Sequence, residues 1–327
     1  MKAVWYERQG PAAEVLQVGD IPTPQPGPGE VRVEIYVSGV NPIDVKRRLG
    51  GRGTMSAPQI IPHFDGAGVI EAVGEGVESS RIGERVWLYA AQWERDFGTA
   101  AEYASLPSEQ AVPLPEDSDF FEGACLGIPA LTAYASVFAD GEVAGKTVLV
   151  TGGAGAVGRY AVQFARLAGA RVITTVSTDE KAELAADAGA DHVLNYRTTN
   201  VADRVLEITD GVGADRVVEV EFGGNLTTNL RATRPGGIIA TYASQAVPEP
   251  SLPFYDLMYK SIIIRHVLVF GSTPILLKQA LADITHWLAD KELTHHLGER
   301  FALSEVIAAH QAVERSAIGK VLVDCKL

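Results

Sequence analysis

The stretch from Thr147 to Gly158, TVLVTGGAGAVG, constrains the fold more than any other part of the chain, because a short apolar run ends in glycines and then turns helical. Gly153, Gly155 and Gly158 fit the spacing G-x-G-x-x-G. The first glycine permits a tight turn after a strand, the second lets a pyrophosphate touch backbone, and the third lets a helix pack on the sheet. In the following AVGRYAVQFARLAGA, Val157, Ala161, Phe164, Ala165 and Ala168 recur at helical spacing. First-turn N–H groups, from Ala156 and Val157 onward, would then face the glycine loop and favour an anion there. Such glycine clusters also occur in ordinary strand-to-helix turns, so the downstream pattern decides. RVITTV, DEKAELAADAGA, DHVLNY, ADRVVEV and GGIIATYA alternate strand-like and helix-like segments. That alternation predicts an α/β fold, a doubly wound parallel sheet with helices on both faces.

The first third of the chain has no helical crossovers. EVRVEIYV sends Val31, Val33, Ile35 and Val37 to one side and charged or polar residues to the other. MKAVWYERQG, GAGVIEAVGEGV, ERVWLYA and TAAEYASL read as further strands, and together they predict an antiparallel β-barrel of roughly 100 to 120 residues. A length of 327 residues accommodates both domains. Helical spacing from Asp119 to Ala139 leads into the nucleotide domain. After that domain, KSIIIRHVLVFGS predicts a long edge strand suited to pairing in a homodimer. The amphipathic helices LLKQALADITHWLAD and SEVIAAHQAVERS follow, and KVLVDC is a last strand that returns to the first domain.

No run of about 18 apolar residues occurs in the sequence, so no membrane span is expected. The start lacks the long apolar core of a signal peptide, so a cytoplasmic protein is expected. A net charge of −13 disfavours binding to nucleic-acid backbones. Cys125 and Cys325 lack metal-site spacing, and the adjacent His295 and His296 read as a solvated turn rather than as metal ligands.

The combination of GEVRVEIYVSGVNPIDVKRRLGG, DGAGVIEAVGEGV, GERVW, LTAYAS, TVLVTGGAGAVG, LNYR and GKVLV resembles the zinc-independent, zeta-crystallin-like quinone oxidoreductases of the medium-chain dehydrogenase/reductase superfamily. The resemblance covers essentially the whole chain. It implies a GroES-like catalytic domain over residues 1–122 and 272–327, with a Rossmann domain over 123–271. It places Asn41, Phe64 and Ile128 where zinc-dependent members hold metal, and these side chains supply neither thiolate nor imidazole, so a reaction without metal is expected. It assigns Asn41 and Thr132 to the hydride-transfer centre. The bland alternatives are a turn residue before Pro42 for Asn41, and for Thr132 a hydroxyl bonded to its own helix.

For the cofactor, the resemblance adds Ser244 and Phe270 to the residues of the glycine loop. An enzyme selective for NAD usually carries an acid about 20 residues beyond the glycines. Here alignment puts Ser177 in that place, while Asp179 and Glu180 read as first-turn helix residues. Lys181 and Tyr196 match residues that hold a 2′-phosphate in the family, with Arg197 beside them, so NADPH is the expected cofactor; a solvent-facing helix lysine is the commoner reading of Lys181 alone. Family members carry two tyrosines after the asparagine, and this chain has Lys46 and Arg52 instead. With Arg47 they make the segment basic, Arg47 itself reading as part of a solvated loop face. Lys46 and Asp44 are candidate proton donors. The expected activity is hydride transfer from NADPH to a quinone or related electron-poor carbonyl. One alternative is reduction of an alkenal or enone double bond. The other is a cofactor-binding structural or regulatory protein with little turnover.

Overall fold

Alternating apolar and polar side chains build the first of two units into which the chain divides, Met1–Ile128 with Leu281–Leu327; the second is Pro129–Ala280. The computed structural model describes residues 1–327. The first unit begins with β1 (Lys2–Trp5), α1 (Ala12–Val15), β2 (Gln17–Asp20), β3 (Glu30–Val40) and α2 (Pro42–Arg48). It continues with β4 (Asp65–Val73), β5 (Arg85–Leu88), β6 (Tyr103–Pro107) and β7 (Ala111–Pro113). As the alternation predicts, Val31, Val33, Ile35 and Val37 are all buried on β3. β3 pairs antiparallel with both β4 and β6 and is the central strand of this sheet.

α3 (Phe120–Phe138) carries the chain from the first unit into the second. It is long and apolar enough by length and composition to cross a membrane, although Glu122 interrupts its apolar run, and it is mostly buried within the protein. The helix is also broken at Gly127, where φ is 5° and ψ −113°.

The second unit follows the predicted alternation. It contains β8 (Thr147–Val150), α4 (Ala156–Leu167), β9 (Arg171–Val176), α5 (Asp179–Asp187), β10 (His192–Asn195) and α6 (Val201–Ile208). Then come β11 (Ala214–Glu219), α7 (Phe222–Ala232), β12 (Thr233–Thr241), α8 (Phe254–Lys260) and β13 (Ile263–His266), after which α9 (Pro274–Ala289) leads the chain back into the first unit. The strand order is β10-β9-β8-β11-β12-β13, every neighbour parallel. Chain direction across the sheet reverses between β8 and β11, the kind of switch point at which such folds bind ligands. On α4, Ala161, Phe164 and Ala165 are fully buried, and each large apolar side chain so placed contributes ~1.5–3 kcal/mol.

Three expectations are corrected by the structure. The long edge strand is only four residues, because β12 ends at Thr241 and the ladder closes with Val267 N–H donating to the Thr241 carbonyl. The β domain is not wholly antiparallel either. β14 (Leu297–Ala302) and β15 (Lys320–Asp324) run parallel, because α10 (Val306–Glu314) connects them as a crossover. β15 pairs antiparallel with β3, so the last strand does return to the first unit. His295 and His296 are half-buried ahead of β14, not a solvated turn.

Candidate functional site

The glycine loop joins β8 to α4, and its glycines divide their tasks differently from the pattern's general reading. Gly152, at φ 70°, takes the left-handed turn. Gly153 is held against β9, where a Cβ would lie 2.0 Å from the Thr174 hydroxyl. A Cβ on Gly158 would lie 2.2 Å from the Gly152 carbonyl, so this glycine lets α4 approach the loop. Gly155 is the exposed N-cap of α4 and contributes no capping side chain. Helix N-termini leave their first N–H groups unpaired, so those of Ala156, Val157 and Gly158 form a cradle for an anion.

At the neighbouring strand ends, Asn195 pairs with Val176, and Tyr196 N–H donates to the Val176 carbonyl at 3.1 Å. This sets exposed Tyr196 beside Ser177. Thr178 caps α5 by accepting from Lys181 N–H at 3.3 Å, which makes Asp179 and Glu180 first-turn residues as expected. Lys181, half-buried, and Arg197, exposed, belong to the same corner. Ser177, Lys181, Tyr196 and Arg197 are thus gathered at the carboxyl ends of β9 and β10.

Two acids with no motif to mark them in the sequence organise the next loop. Glu219 ends β11 fully buried, accepting from the Thr151 hydroxyl at 3.0 Å, Asn225 Nδ2 at 3.0 Å and Asn229 Nδ2 at 2.6 Å. Glu221 stands at the N-cap position of α7, and its carboxyl accepts from the N–H groups of Gln245 at 2.8 Å and Ala246 at 3.0 Å. Partial burial opposes its ionisation, but these backbone donors together hold its carboxyl below the usual range. Ser244 belongs to this anchor. Its hydroxyl accepts from Gly223 N–H at 2.9 Å and donates to the Val247 carbonyl. Phe270 lies half-buried in the turn after β13.

In the first unit, Asn41 caps α2 and is 2% exposed. Its amide oxygen accepts from Lys320 Nζ at 2.6 Å, and its Nδ2 donates to Asp65 Oδ2 at 2.7 Å. Lys320 also donates to Asp65 Oδ2 at 2.8 Å, and Asp65 Oδ1 accepts from Ile128 N–H at 2.9 Å. The backbone N–H of Asn41 donates to Asp44 Oδ2 at 2.6 Å, while Asp44 Oδ1 is buried without a partner. Burial, with Asp65 adding a like charge, raises the Asp44 carboxyl to about 8.

Around this centre runs a second buried chain whose hydrogen positions can be assigned from one end to the other. Thr99 Oγ1 donates to the Asp65 carbonyl, so it must accept from Ser38 Oγ at 2.8 Å. Ser38 therefore accepts from His63 Nδ1 at 2.8 Å, and His63 Nε2 accepts from His310 Nε2 at 2.9 Å. His310 Nδ1 is left to accept from Arg48 Nε at 3.3 Å, and Arg48 pairs with Glu314. Every donor in the chain has one acceptor, with both imidazoles neutral. Desolvation lowers the affinity of both imidazoles for a second proton, taking His63 to about 3.

Lys46 is half-buried on α2 and Arg52 is exposed, whereas Arg47 is not part of a solvated face. It is half-buried, with its guanidinium 5.4 Å from the centre of the buried Phe64 ring. Thr132 lies in the second half of α3, 5% exposed, its carbonyl accepting from the Ser136 hydroxyl at 2.8 Å. No three His, Cys, Asp or Glu side chains are grouped to hold a metal, and Asn41, Phe64 and Ile128 have the wrong donor chemistry for zinc.

These features define a class, a two-unit protein with a Rossmann sheet, a dinucleotide-type glycine loop and a β-rich unit carrying a buried polar centre. Residues 27–116 match the alcohol dehydrogenase GroES-like domain, and residues 156–286 match the domain described as zinc-binding dehydrogenase. The chain is 32% identical over 324 residues to quinone oxidoreductase of Homo sapiens, covering 97% of this chain and 95% of that one. It is 34% identical over 263 residues to a 2-haloacrylate reductase of a Burkholderia species, covering 79% and 77%. A mycobacterial structure solved in complex with NADPH superimposes with a TM-score of 0.87, at 30% identity and 99% coverage of both chains. The chain belongs to the zeta-crystallin-like quinone oxidoreductase branch of the medium-chain dehydrogenase/reductase superfamily.

Proposed function

We propose that this protein is an NADPH-dependent oxidoreductase that reduces a quinone or a related electron-poor carbonyl acceptor. The observation that carries the reading is the Gly153–Gly158 cradle, which leaves the N-terminus of α4 open at the carboxyl end of a parallel sheet. Gly155 and the amides of Ala156, Val157 and Gly158 would hold the pyrophosphate. Ser177, Lys181, Tyr196 and Arg197 would hold the 2′-phosphate, since this corner offers a hydroxyl, a lysine, a phenol and an arginine. Ser244 and Phe270 would line the cofactor's other end. Once bound, NADPH supplies the hydride.

The protein's own part is to orient the acceptor and stabilise charge developing on its oxygen. Asn41 would donate its second Nδ2–H to that oxygen. Lys46 and Arg52 add positive charge that favours an anionic acceptor or the cofactor's phosphates. A quinone needs no placed acid, because its reduced anion takes a proton from water. Alkene reduction needs a proton at carbon, and Asp44 is the observation that favours this second reading. Its carboxyl is held protonated near neutral pH, directly beside Asn41.

The protein is also proposed to form a homodimer through β13, which has a neighbour on one side only. The test of function is a paired titration with NADPH and NADH, followed by turnover with quinones, enones and enals. Selective NADPH binding with quinone turnover is expected. Enone turnover with inert quinones would move the activity to the alkene, and binding without turnover on any acceptor would favour a structural or regulatory role.

A further inference from the structure

Lys320, on the last strand, is 4% exposed and reaches the carboxamide of Asn41 across β3. Two glycines make this reach possible. A Cβ on Gly39 would lie 2.8 Å from Lys320 Cε and 2.4 Å from the Ala124 carbonyl. A Cβ on Gly127, where α3 breaks, would lie 2.0 Å from Asp65 Oδ1. The break also turns Ile128 N–H onto that same oxygen at 2.9 Å. The chain has thus made room on two sides for one lysine, one aspartate and one asparagine.

Donor and acceptor counting then fixes the amide. Lys320 has only donors to offer and the Asp65 carboxylate only acceptors, so the Asn41 oxygen must face Lys320 and its nitrogen must face Asp65. The flipped amide would set donor against donor and acceptor against acceptor. Asp65 takes one of the two Nδ2–H groups, and the second has no acceptor within the protein. A cation donating to an amide oxygen draws electron density from the amide nitrogen and makes its N–H a stronger donor.

We propose that Lys320 is a positioning residue, which with Asp65 locks and polarises the Asn41 carboxamide so that its free N–H is presented to the oxygen of the substrate carbonyl. This rests on the reading of Asn41 as the donor to that oxygen. A buried ion pair that merely held β15 on β3 would stabilise the fold without affecting the chemical step. The two roles therefore separate experimentally.

The test takes wild type, Asn41→Ala, Lys320→Met, Lys320→Arg and Asn41→Ala/Lys320→Met through NADPH titration and steady-state turnover with the quinone panel. Lys320→Met is expected to lower kcat about tenfold to a hundredfold, short of the about 10²–10³ of losing a donor outright. NADPH affinity should be unchanged, and Lys320→Arg should recover most of the rate. In the Asn41→Ala background, Lys320→Met should cost nothing further, because it acts through Asn41. Additive losses in the double variant, or an unchanged kcat in folded Lys320→Met, would overturn the proposal. Should Lys320→Met fail to fold with Asp65 left unpaired, Asp65→Asn/Lys320→Met removes both charges together and faces the same criteria. A readout independent of turnover is the side-chain ¹⁵N–¹H signal of Asn41 under asparagine-selective labelling. A downfield shift in wild type that is lost in Lys320→Met supports the polarisation, and identical signals exclude it. Wild type inert towards every acceptor, with the Asn41 shift intact, would instead fault the functional reading and leave the geometry of Lys320 standing.

Discussion

Asp44 shows how one buried residue makes the fold sensitive to pH. The folded state holds its carboxyl at about 8 against 3.8 for the free side chain, chiefly through burial. Between those values the unfolded chain has released a proton that the native chain still holds, so native stability falls as pH rises from about 4 and levels off above about 8. Asp44→Asn retains an oxygen to accept from Asn41 N–H and removes the ionisation. Thermal melts should find the variant more stable than wild type by ~1–3 kcal/mol near pH 8, the usual cost of a buried unsatisfied polar group, with the gap closing towards pH 4. A gap constant with pH would show that Asp44 does not titrate in this range. Lys181 makes a second prediction at this scale. A charge-assisted bond contributes ~1.5–3 kcal/mol, so Lys181→Ala should weaken NADPH by about 10- to 100-fold and NADH far less. Equal losses would remove its role with the 2′-phosphate. The sequence made Lys181 legible because strand ends and helix starts fix its neighbourhood locally. It left Lys320 and Glu219 out of the candidate site, since their partners Asn41 and Thr151 lie far away along the chain and meet them only by sheet pairing.

Elements repeat the same contrast between local and distant causes. The βα alternation of the second unit was readable because each strand and helix carries its own period, and β8 and α4 form where TVLVTGGAGAVG places them. The parallel β14–β15 pair and the shortness of β13 depend on partners elsewhere, which no local period encodes. The glycine loop separates packing from binding. At Gly155, φ is −78°, which alanine adopts, and the nearest atom to a new Cβ is the Gly152 carbonyl at 3.2 Å. Gly155→Ala should therefore keep its melting temperature while losing NADPH affinity by isothermal titration. Gly153→Ala meets Thr174 and should cost ~1–3 kcal/mol of stability, part of it recovered by Thr174→Ala in the same chain. Unchanged affinity in Gly155→Ala would place the pyrophosphate elsewhere. The hydrogen-bond chain from Arg48 through His310 and His63 to Thr99 ties α2, α10, β3 and β4 together. Both imidazoles are neutral in the fold and bind protons more weakly than in the unfolded chain. Stability should accordingly fall as pH drops below about 6.5, by up to about 1.4 kcal/mol per pH unit for each histidine. His310→Gln should flatten that acid limb in pH-dependent denaturation, and a limb unaltered by the variant would assign acid sensitivity to other groups.

At the scale of the whole molecule, the question is what a chain with net charge −13 does with an apolar surface. Charge of that size opposes nonspecific association, yet the second unit exposes Phe254, Tyr255 and Tyr259 on α8, with Ile263 on β13 and Leu268 just beyond it. Tyr259 is 79% exposed and stacks on Tyr255 at 6.2 Å between ring centres, which forms a continuous aromatic surface rather than scattered contacts. β13 offers a free backbone edge in the same region, where the exposed Ile263 adjoins the aromatic surface and Arg265 is occupied by its ion pair with Asp140. A two-fold axis beside β13 would pair that edge with its own copy and cover the aromatic surface of both, which makes the interface self-complementary. Sedimentation velocity at micromolar concentration should therefore find a dimer. Ile263→Lys with Tyr259→Asp should yield a monomer that still binds NADPH, because neither residue belongs to the glycine cradle. A wild-type monomer at that concentration would exclude the pairing, and the exposed surface would then have to meet a different partner.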